Sequence, residues 1–175
     1  MDIHREAGIL QVSPRLDNMT VVKGGSSGSV SFFWMTQYGS TGTVYGFGRD
    51  GFIYQWRNNV SSWGSVNQIT GNPAGGMTEF NNKLYFAAAS DLGDFDGTTW
   101  RNSVGSLTSV GPYTWRPMTV LGTKLYVGND HNIYSLETSG VSNGSAVVLP
   151  VGYNIRCMTT FNNMIYFGTF KTEKA

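Results

Sequence analysis

The side chains able to move protons, hold metals or attack a carbonyl are few in this 175-residue chain: two histidines, one cysteine and eleven carboxylates. His4 and His131 stand far apart, and neither has a His or Cys partner at ligand spacing, so the pattern offers no zinc or transition-metal site. No serine is nominated as a nucleophile. Glu79 and Asp130 are available for acid–base work. Nothing in their spacing brings two carboxylates to the separation that two-carboxylate catalysis needs. Gly24-Gly-Ser-Ser-Gly28 lacks the lysine and the following helix of a phosphate loop. Asp91, Asp94 and Asp96 lie close together, as the oxygen ligands of a calcium loop would. Their spacing is not the alternating one of such a loop, and no glutamate ends it. The expectation is an Asp-Gly hairpin turn with exposed carboxylates. No metal and no cofactor is expected.

The aromatic residues offer another chemistry. Trp56, Trp63, Trp100 and Trp115 recur near the ends of apolar runs, with Tyr54, Tyr113 and Tyr134 close by. A flat ring beside Asn and Arg can stack on a sugar, so these four tryptophans are the candidate ligand-binding residues. The competing expectation is that they pack inside the protein, where each contributes a large buried area.

The elements that must position these residues come from an internal repeat. Met77-Thr-Glu-Phe-Asn-Asn-Lys-Leu-Tyr-Phe86 recurs as Met118-Thr-Val-Leu-Gly-Thr-Lys-Leu-Tyr-Val127 and Met158-Thr-Thr-Phe-Asn-Asn-Met-Ile-Tyr-Phe167, at a period of about 40 residues. A weaker copy, Thr43-Val-Tyr-Gly-Phe47, precedes them, so Tyr45, Tyr85, Tyr126 and Tyr166 are in phase. Asp50-Gly51 and Asp96-Gly97 are hairpin turns, because both residue types tolerate positive φ. Gly128-Asn-Asp-His-Asn132 is another turn. No apolar pattern keeps a helical period over three turns. Each unit therefore reads as about four short antiparallel strands, the blade of a β-propeller. A β-sandwich is the rival, but it supplies no reason for the echo.

Composition agrees. Glycine is frequent, aromatics make up 14% and charged residues 13% of the chain. The net charge of +1 gives no basic face for nucleic acid, and no apolar run has the length of a membrane helix, so neither is expected as a partner. The single cysteine, Cys157, excludes an intrachain disulfide and reads as a small buried strand residue. Asn18, Asn59 and Asn143 match the glycosylation pattern at the frequency this composition gives by chance.

The repeat divides the chain. Residues 1–27 are expected to hold an N-terminal strand, Gly8–Ser13, and a flexible segment, Lys23–Gly28. Residues 28–175 hold the blades, at about 28–76, 77–117 and 118–157, with a partial unit at 158–175. The last unit lacks its second hairpin. The chain thus reads as an incomplete propeller of about 3–4 blades, the N-terminal part of a longer one. The alternative is a ring in which residues 9–35 complete a fourth blade.

At the residue level the chain resembles β-propeller repeats of the form Met-Thr-x-Phe-Asn-Asn-Lys-Leu-Tyr-Phe followed by Asp-Gly-x-x-Trp. It is similar to kelch-like blades in pairing a Leu-Tyr-Phe strand with a later Trp. Ala87-Ala88, Gly128-Asn129 and Gly168-Thr169 stand where kelch repeats carry a Gly-Gly doublet. The opening Asp2-Ile-His-Arg-Glu-Ala-Gly-Ile-Leu-Gln-Val-Ser13 looks like the start of propeller-type proteins of tailed-phage particles. That resemblance implies a non-enzymatic structural or interaction protein with protein partners in a larger assembly, located in the virion. Without it, localisation stays open between cytoplasmic and extracellular. The alternative is a carbohydrate-binding, lectin-like propeller whose partners are surface glycans. A propeller glycosidase or lyase ranks third.

Overall fold

The structure, a computed structural model, describes residues 19–23, 26–39, 42–58, 61–69, 73–88, 90–107, 115–137 and 145–171. Among them the regular elements are sixteen strands and no helix. The expected strand at Gly8–Ser13 lies outside the described residues.

β1 (Met19–Lys23) and β2 (Ser26–Val30) form a hairpin. β3 (Phe32–Tyr38), β4 (Thr43–Gly48), β5 (Phe52–Arg57) and β6 (Ser62–Gln68) follow as an antiparallel meander, sheet 1. Sheet 2 holds β7 (Pro73–Phe80), β8 (Lys83–Ala88), β9 (Asp91–Phe95) and β10 (Trp100–Ser106). Sheet 3 holds β11 (Met118–Leu121), β12 (Lys124–Asn129), β13 (Asn132–Glu137) and β14 (Ser145–Val148). Sheet 4 has two strands, β15 (Tyr153–Phe161) and β16 (Met164–Lys171).

The turns explain the meander. Asn81 and Asn82 both take positive φ, 49° and 56°, between β7 and β8. Two such residues make the hairpin loop whose twist matches that of the strands it joins, and asparagine tolerates that backbone region. Asn162-Asn163 repeats the turn between β15 and β16. Asp50-Gly51 and Asp96-Gly97 are also turns, with Gly51 and Gly97 at positive φ. They are not equivalent: the first joins β4 to β5, the second β9 to β10.

Register follows the repeat. Tyr45 lies opposite Thr36, Tyr85 opposite Thr78, Tyr126 opposite Thr119 and Tyr166 opposite Thr159. The four in-phase tyrosines thus occupy the second strand of successive sheets. The pairing also uncovers a fourth Met-Thr, Met35-Thr36 in β3, one repeat before Met77-Thr78.

Strand alternation turns one face of each sheet to its predecessor and one to its successor. Met77, Leu84, Phe86 and Phe95 of sheet 2 pack on Tyr45, Phe47 and Ile53 of sheet 1. Met118, Leu125, Val127 and Leu136 of sheet 3 pack on Phe80, Ala87 and Leu92 of sheet 2. The first strands β3, β7, β11 and β15 are neighbours in that order. Polar clamps add to the apolar joints. The Tyr38 hydroxyl donates to the Asn82 carbonyl (2.9 Å), and the Gly39 N–H donates to Glu79 Oε2 (2.9 Å). Thr160 Oγ1 donates to the Val120 carbonyl (2.8 Å), and the Ile155 N–H donates to the Asp130 carbonyl (2.9 Å). Successive four-stranded antiparallel sheets stacked in this way make a propeller-like all-β fold.

The N-terminal segment differs from expectation. β1 runs parallel to β6 through Val21 opposite Trp63 and Val22 opposite Gly64, which extends sheet 1 to six strands. The β1–β2 hairpin therefore sits on the outer edge of sheet 1 and adds no strand to sheet 4. The described part of Lys23–Gly28, expected as a flexible break, is strand: Lys23 ends β1 and Ser26–Gly28 belong to β2. Val21 is the reason: it is buried against Phe32, Tyr54 and Trp63.

Candidate functional site

The four tryptophans do not share one repeat position. Trp63 and Trp100 are counterparts, each opening the fourth strand of its sheet opposite the end of the third strand. Trp56 is the last residue but one of the third strand of sheet 1 and pairs with Trp63 at 5.5 Å in an edge-to-face contact. Trp115 precedes β11, in the lead into sheet 3. The shared Asp-Gly anchor made Trp56 and Trp100 look equivalent in sequence, and the different turns they follow separate them.

Their surroundings differ accordingly. Trp100 is stacked on Phe95 at 4.1 Å and 13° and meets Tyr45 of sheet 1 at 5.9 Å, so it lies in the joint between sheets 1 and 2. Trp63 is buried, 4.8 Å from the Phe32 ring. Trp115 is half-buried. Trp56 is half-buried and borders a groove of about 390 Å³ lined by Gly42, Thr43, Val44, Gln55, Trp56, Arg57 and Asn58. The guanidinium of Arg57 lies across Gly64, where a Cβ would meet it, so the missing side chain at 64 lets Arg57 flatten onto β6. Strand alternation turns Trp56 to the Trp63 face of sheet 1 and Gln55 and Arg57 to the opposite one, so what the groove offers a ligand is hydrogen bonding from Gln55, Arg57 and Asn58.

The aspartates behave otherwise than expected. Asp91 and Asp94 belong to β9 rather than to a turn. Asp94 is buried rather than exposed. It accepts from Arg101 Nε (2.6 Å) and Nη2 (2.5 Å) and from Lys83 Nζ (3.3 Å). The planar Arg101 fork explains how a carboxylate is accommodated inside a sheet joint. The Asp94 pair also raises the Arg101 pKa. Asp96 is exposed and caps the turn. It accepts from the Thr99 N–H (2.9 Å), the Thr98 hydroxyl (2.7 Å) and the Thr98 N–H (3.0 Å), and these bonds hold its pKa at about 2. Among the described residues no three His, Cys, Asp or Glu side chains gather as a metal site.

Other titratable groups serve the scaffold. Glu79 clamps sheet 2 to sheet 1, and Asp130 pairs with His131 (3.1 Å) at the β12–β13 turn, so the two carboxylates belong to different sheets. Arg116, missed in the sequence, is fully buried before β11 and donates to the buried Asn129. Burial pulls its pKa down to about 10, with Asp130 opposing the shift. Its carbonyl occupies the place a Cβ would take at Gly76, so β7 of sheet 2 and the lead into sheet 3 touch there. Tyr54 donates to Asp50 (2.7 Å), and burial raises its pKa above the usual tyrosine value. Cys157, expected to be buried, is exposed, because no sheet covers its face of sheet 4 among the described residues. Gly24–Gly28 and Gly140–Gly144 do spell Gly-x-Ser-x-Gly. A nucleophile elbow turns from strand into helix, whereas Ser26 opens β2, and Gly140–Gly144 lies outside the described residues.

Among the described residues, five of the eight exposed large hydrophobic side chains are on sheet 4. Phe161, Met164, Tyr166 and Phe170 share the face turned away from sheet 3 and are 63%, 52%, 48% and 50% exposed. Phe161 and Tyr166 meet ring to ring at 6.4 Å, and the Arg156 guanidinium sits over Phe170 at 5.0 Å. Nothing in the repeat marked this surface, because the same letters are buried in sheet 2.

No protein family matches the chain, and no curated protein sequence matches it. The kelch and phage likenesses thus rest on the sequence alone. Among solved structures, it resembles the computationally designed Ika8 protein with a TM-score of 0.52 at 12% identity, covering 85% of this chain and 46% of that one. BamB from Moraxella catarrhalis, a β-propeller, aligns with a TM-score of 0.47 at 15% identity over 85% of this chain and 44% of that one. The glutaminyl cyclase of Myxococcus xanthus aligns with a TM-score of 0.47 at 10% identity, covering 87% and 85%. The chain spans under half the length of Ika8 and of BamB. By strand topology and sheet packing, the chain is a propeller-like all-β protein.

Proposed function

We propose that this chain is a non-enzymatic β-propeller module that acts by protein contact, as a structural or interaction part of a larger assembly. In this reading the sheets are blades, three complete and one half-built, and the ring is finished by other subunits or segments. The observation that carries it is the exposed aromatic face of β15–β16, since apolar surface gathered on one face marks an interaction site. A tailed-phage particle is one such assembly, on the resemblance of the opening residues, and virion location goes with it.

A second reading is favoured by the groove at Trp56. Arg57, Gln55 and Asn58 line it and can hydrogen-bond sugar hydroxyls, which makes a lectin-like propeller the alternative. A glycan array and a panel of glycoside substrates, run on the chain and on Trp56→Ala, separate the two. The expected result is neither binding nor turnover. Sugar binding that is lost in Trp56→Ala at an unchanged melting temperature promotes the lectin. Turnover of any substrate overturns both.

A further inference from the structure

We propose that the groove in sheet 1 is where an aspartate or glutamate side chain of a partner protein docks, with Arg57 as the cation that receives its carboxylate. This rests on the reading of the chain as an interaction module and names the chemistry of its partner.

The repeat itself supplies the first support. Tyr45 lies opposite Gln55, Tyr85 opposite Asp94 and Tyr126 opposite Ser135, so these are equivalent pairs of the second and third strands. Beyond that pair sheet 3 continues through Leu125–Leu136 to Lys124–Glu137, and sheet 2 continues to Leu84–Phe95. In sheet 1 the β4–β5 ladder stops at Tyr45–Gln55. Val44 and Thr43 stay paired with Gln37 and Tyr38 of β3, and Trp56 and Arg57 with Trp63 and Ser62 of β6. The two strands part there, and the groove of about 390 Å³ opens between them.

Charge is the second support. In sheet 2 Lys83 and Arg101 meet Asp94 at 3.3 and 2.5 Å, and in sheet 3 Lys124 meets Glu137 at 2.8 Å. Each of those sheets closes this place with an acid from its own third strand. By register, Thr43, Gln55 and Gly64 of sheet 1 stand where sheet 2 has Lys83, Asp94 and Arg101, and Arg57 stands where sheet 3 has Glu137. Sheet 1 thus has a cation there and no acid. Arg57 is exposed and forms no ion pair among the described residues.

Shape is the third. Gly64 leaves room for the guanidinium to lie on β6, which holds its planar fork in one orientation and favours a planar carboxylate. The amides of Gln55 and Asn58 line the same groove and can donate to that carboxylate's other lone pairs. Trp56 is turned to the other face of the sheet, so the groove offers no ring on which a sugar acid would stack. That favours an acidic side chain of a protein as the source of the carboxylate.

Amide NMR on the isotope-labelled chain, titrated with N-acetylglutamate amide, tests this. We expect saturable shifts confined to Val44, Gln55, Trp56, Arg57 and their neighbours, half-saturating at about 1–10 mM, a range that a few charge-assisted hydrogen bonds reach. N-acetylglutamine amide has the same shape without the charge and should bind at least about tenfold more weakly. That comparison uses the unaltered chain and does not depend on any variant's folding. Arg57→Met should weaken the acid's binding by as much and leave the rest of the spectrum unchanged, since Arg57 is exposed. Gln55→Glu puts an acid of the same size where sheet 2 has Asp94, and should occupy Arg57 and abolish the response. No saturable shift, an equal response to the glutamine compound, or a response that survives Arg57→Met or Gln55→Glu overturns the proposal and leaves the module reading standing. Glucuronate, run in parallel, should bind no tighter than the blocked glutamate. Tighter binding of glucuronate that Arg57→Met removes overturns both the proposal and the module reading.

Discussion

Phe80-Asn-Asn-Lys-Leu-Tyr85 and Phe161-Asn-Asn-Met-Ile-Tyr166 are nearly the same sequence, fold into the same two-residue hairpin, and pair in the same register. Their fates differ. Phe80 is 6% exposed beneath Met118 and Leu125, while Phe161 is 63% exposed. Local sequence sets the turn and the strand, and the neighbouring sheet decides burial. A repeat therefore shows which residues are prepared to be covered without showing whether they are.

The sharpest way to break that comparison is to truncate both phenylalanines. Phe80→Ala should destabilise by about 3–5 kcal/mol, the range for removing a buried aromatic, and Phe161→Ala by no more than about 0.5 kcal/mol. Urea denaturation of the two variants at low protein concentration measures both. Equal losses would show that sheet 4 is covered in solution.

A smaller effect is expected at the polar part of the sheet 2 joint, for which sheet 4 has no counterpart. Asp94→Ala removes a buried acceptor of charged hydrogen bonds, worth about 1.5–3 kcal/mol. Lys83 and Arg101 then turn to solvent, which keeps the loss below that of an orphaned charge. Arg101→Met should instead leave the buried Asp94 carboxylate with Lys83 alone and destabilise at least as much as Asp94→Ala, readable by urea denaturation. A loss well below that of Asp94→Ala would show that Arg101 is not its main partner.

The smallest effect belongs to a turn. Asp96 has its pKa depressed to about 2 from 3.8, so the stability it contributes is present above the usual carboxylate value. That contribution fades as pH falls through about 2. Melting temperature against pH should show an acid limb that is shallower in Asp96→Ala, with the two proteins differing by a constant offset above pH ~5. Identical limbs would remove Asp96 from the acid response.

Much of this fold was legible in the residues. The Asn-Asn and Asp-Gly turns, the in-phase tyrosines and the absence of helical periodicity led to stacked antiparallel sheets, because turn chemistry and strand alternation are local properties. Met35-Thr36 escaped notice because Gln37–Gly42 bears no likeness to Glu79–Asn82, although its spacing to Met77 was available. The aspartates were misread for a different reason. Asp94 looks like its neighbours in sequence, and only the arrival of Arg101 from the next strand explains its burial. The site was less legible still. Trp56 is a candidate in the sequence, but its groove depends on Gly42, on Thr43 and Val44 of β4 and on Gly64 beneath Arg57. The open face of sheet 4 has no local signature at all.

The pairing of β1 with β6 has a kinetic consequence. Every other ladder among the described residues joins strands adjacent in the chain, the arrangement that folds fastest. β1 is synthesised before β6, yet it cannot find its partner until β6 has formed, with the whole of sheet 1 between them. Its ladder to β6 then has two residue pairs, beside the packing of Val21. The hairpin should be among the last parts to dock and the first to peel away, so the amides of Val21 and Val22 would exchange with solvent sooner than those of Leu84 and Phe86. The outer margin of sheet 1 acts as a latch, fastened late and released early.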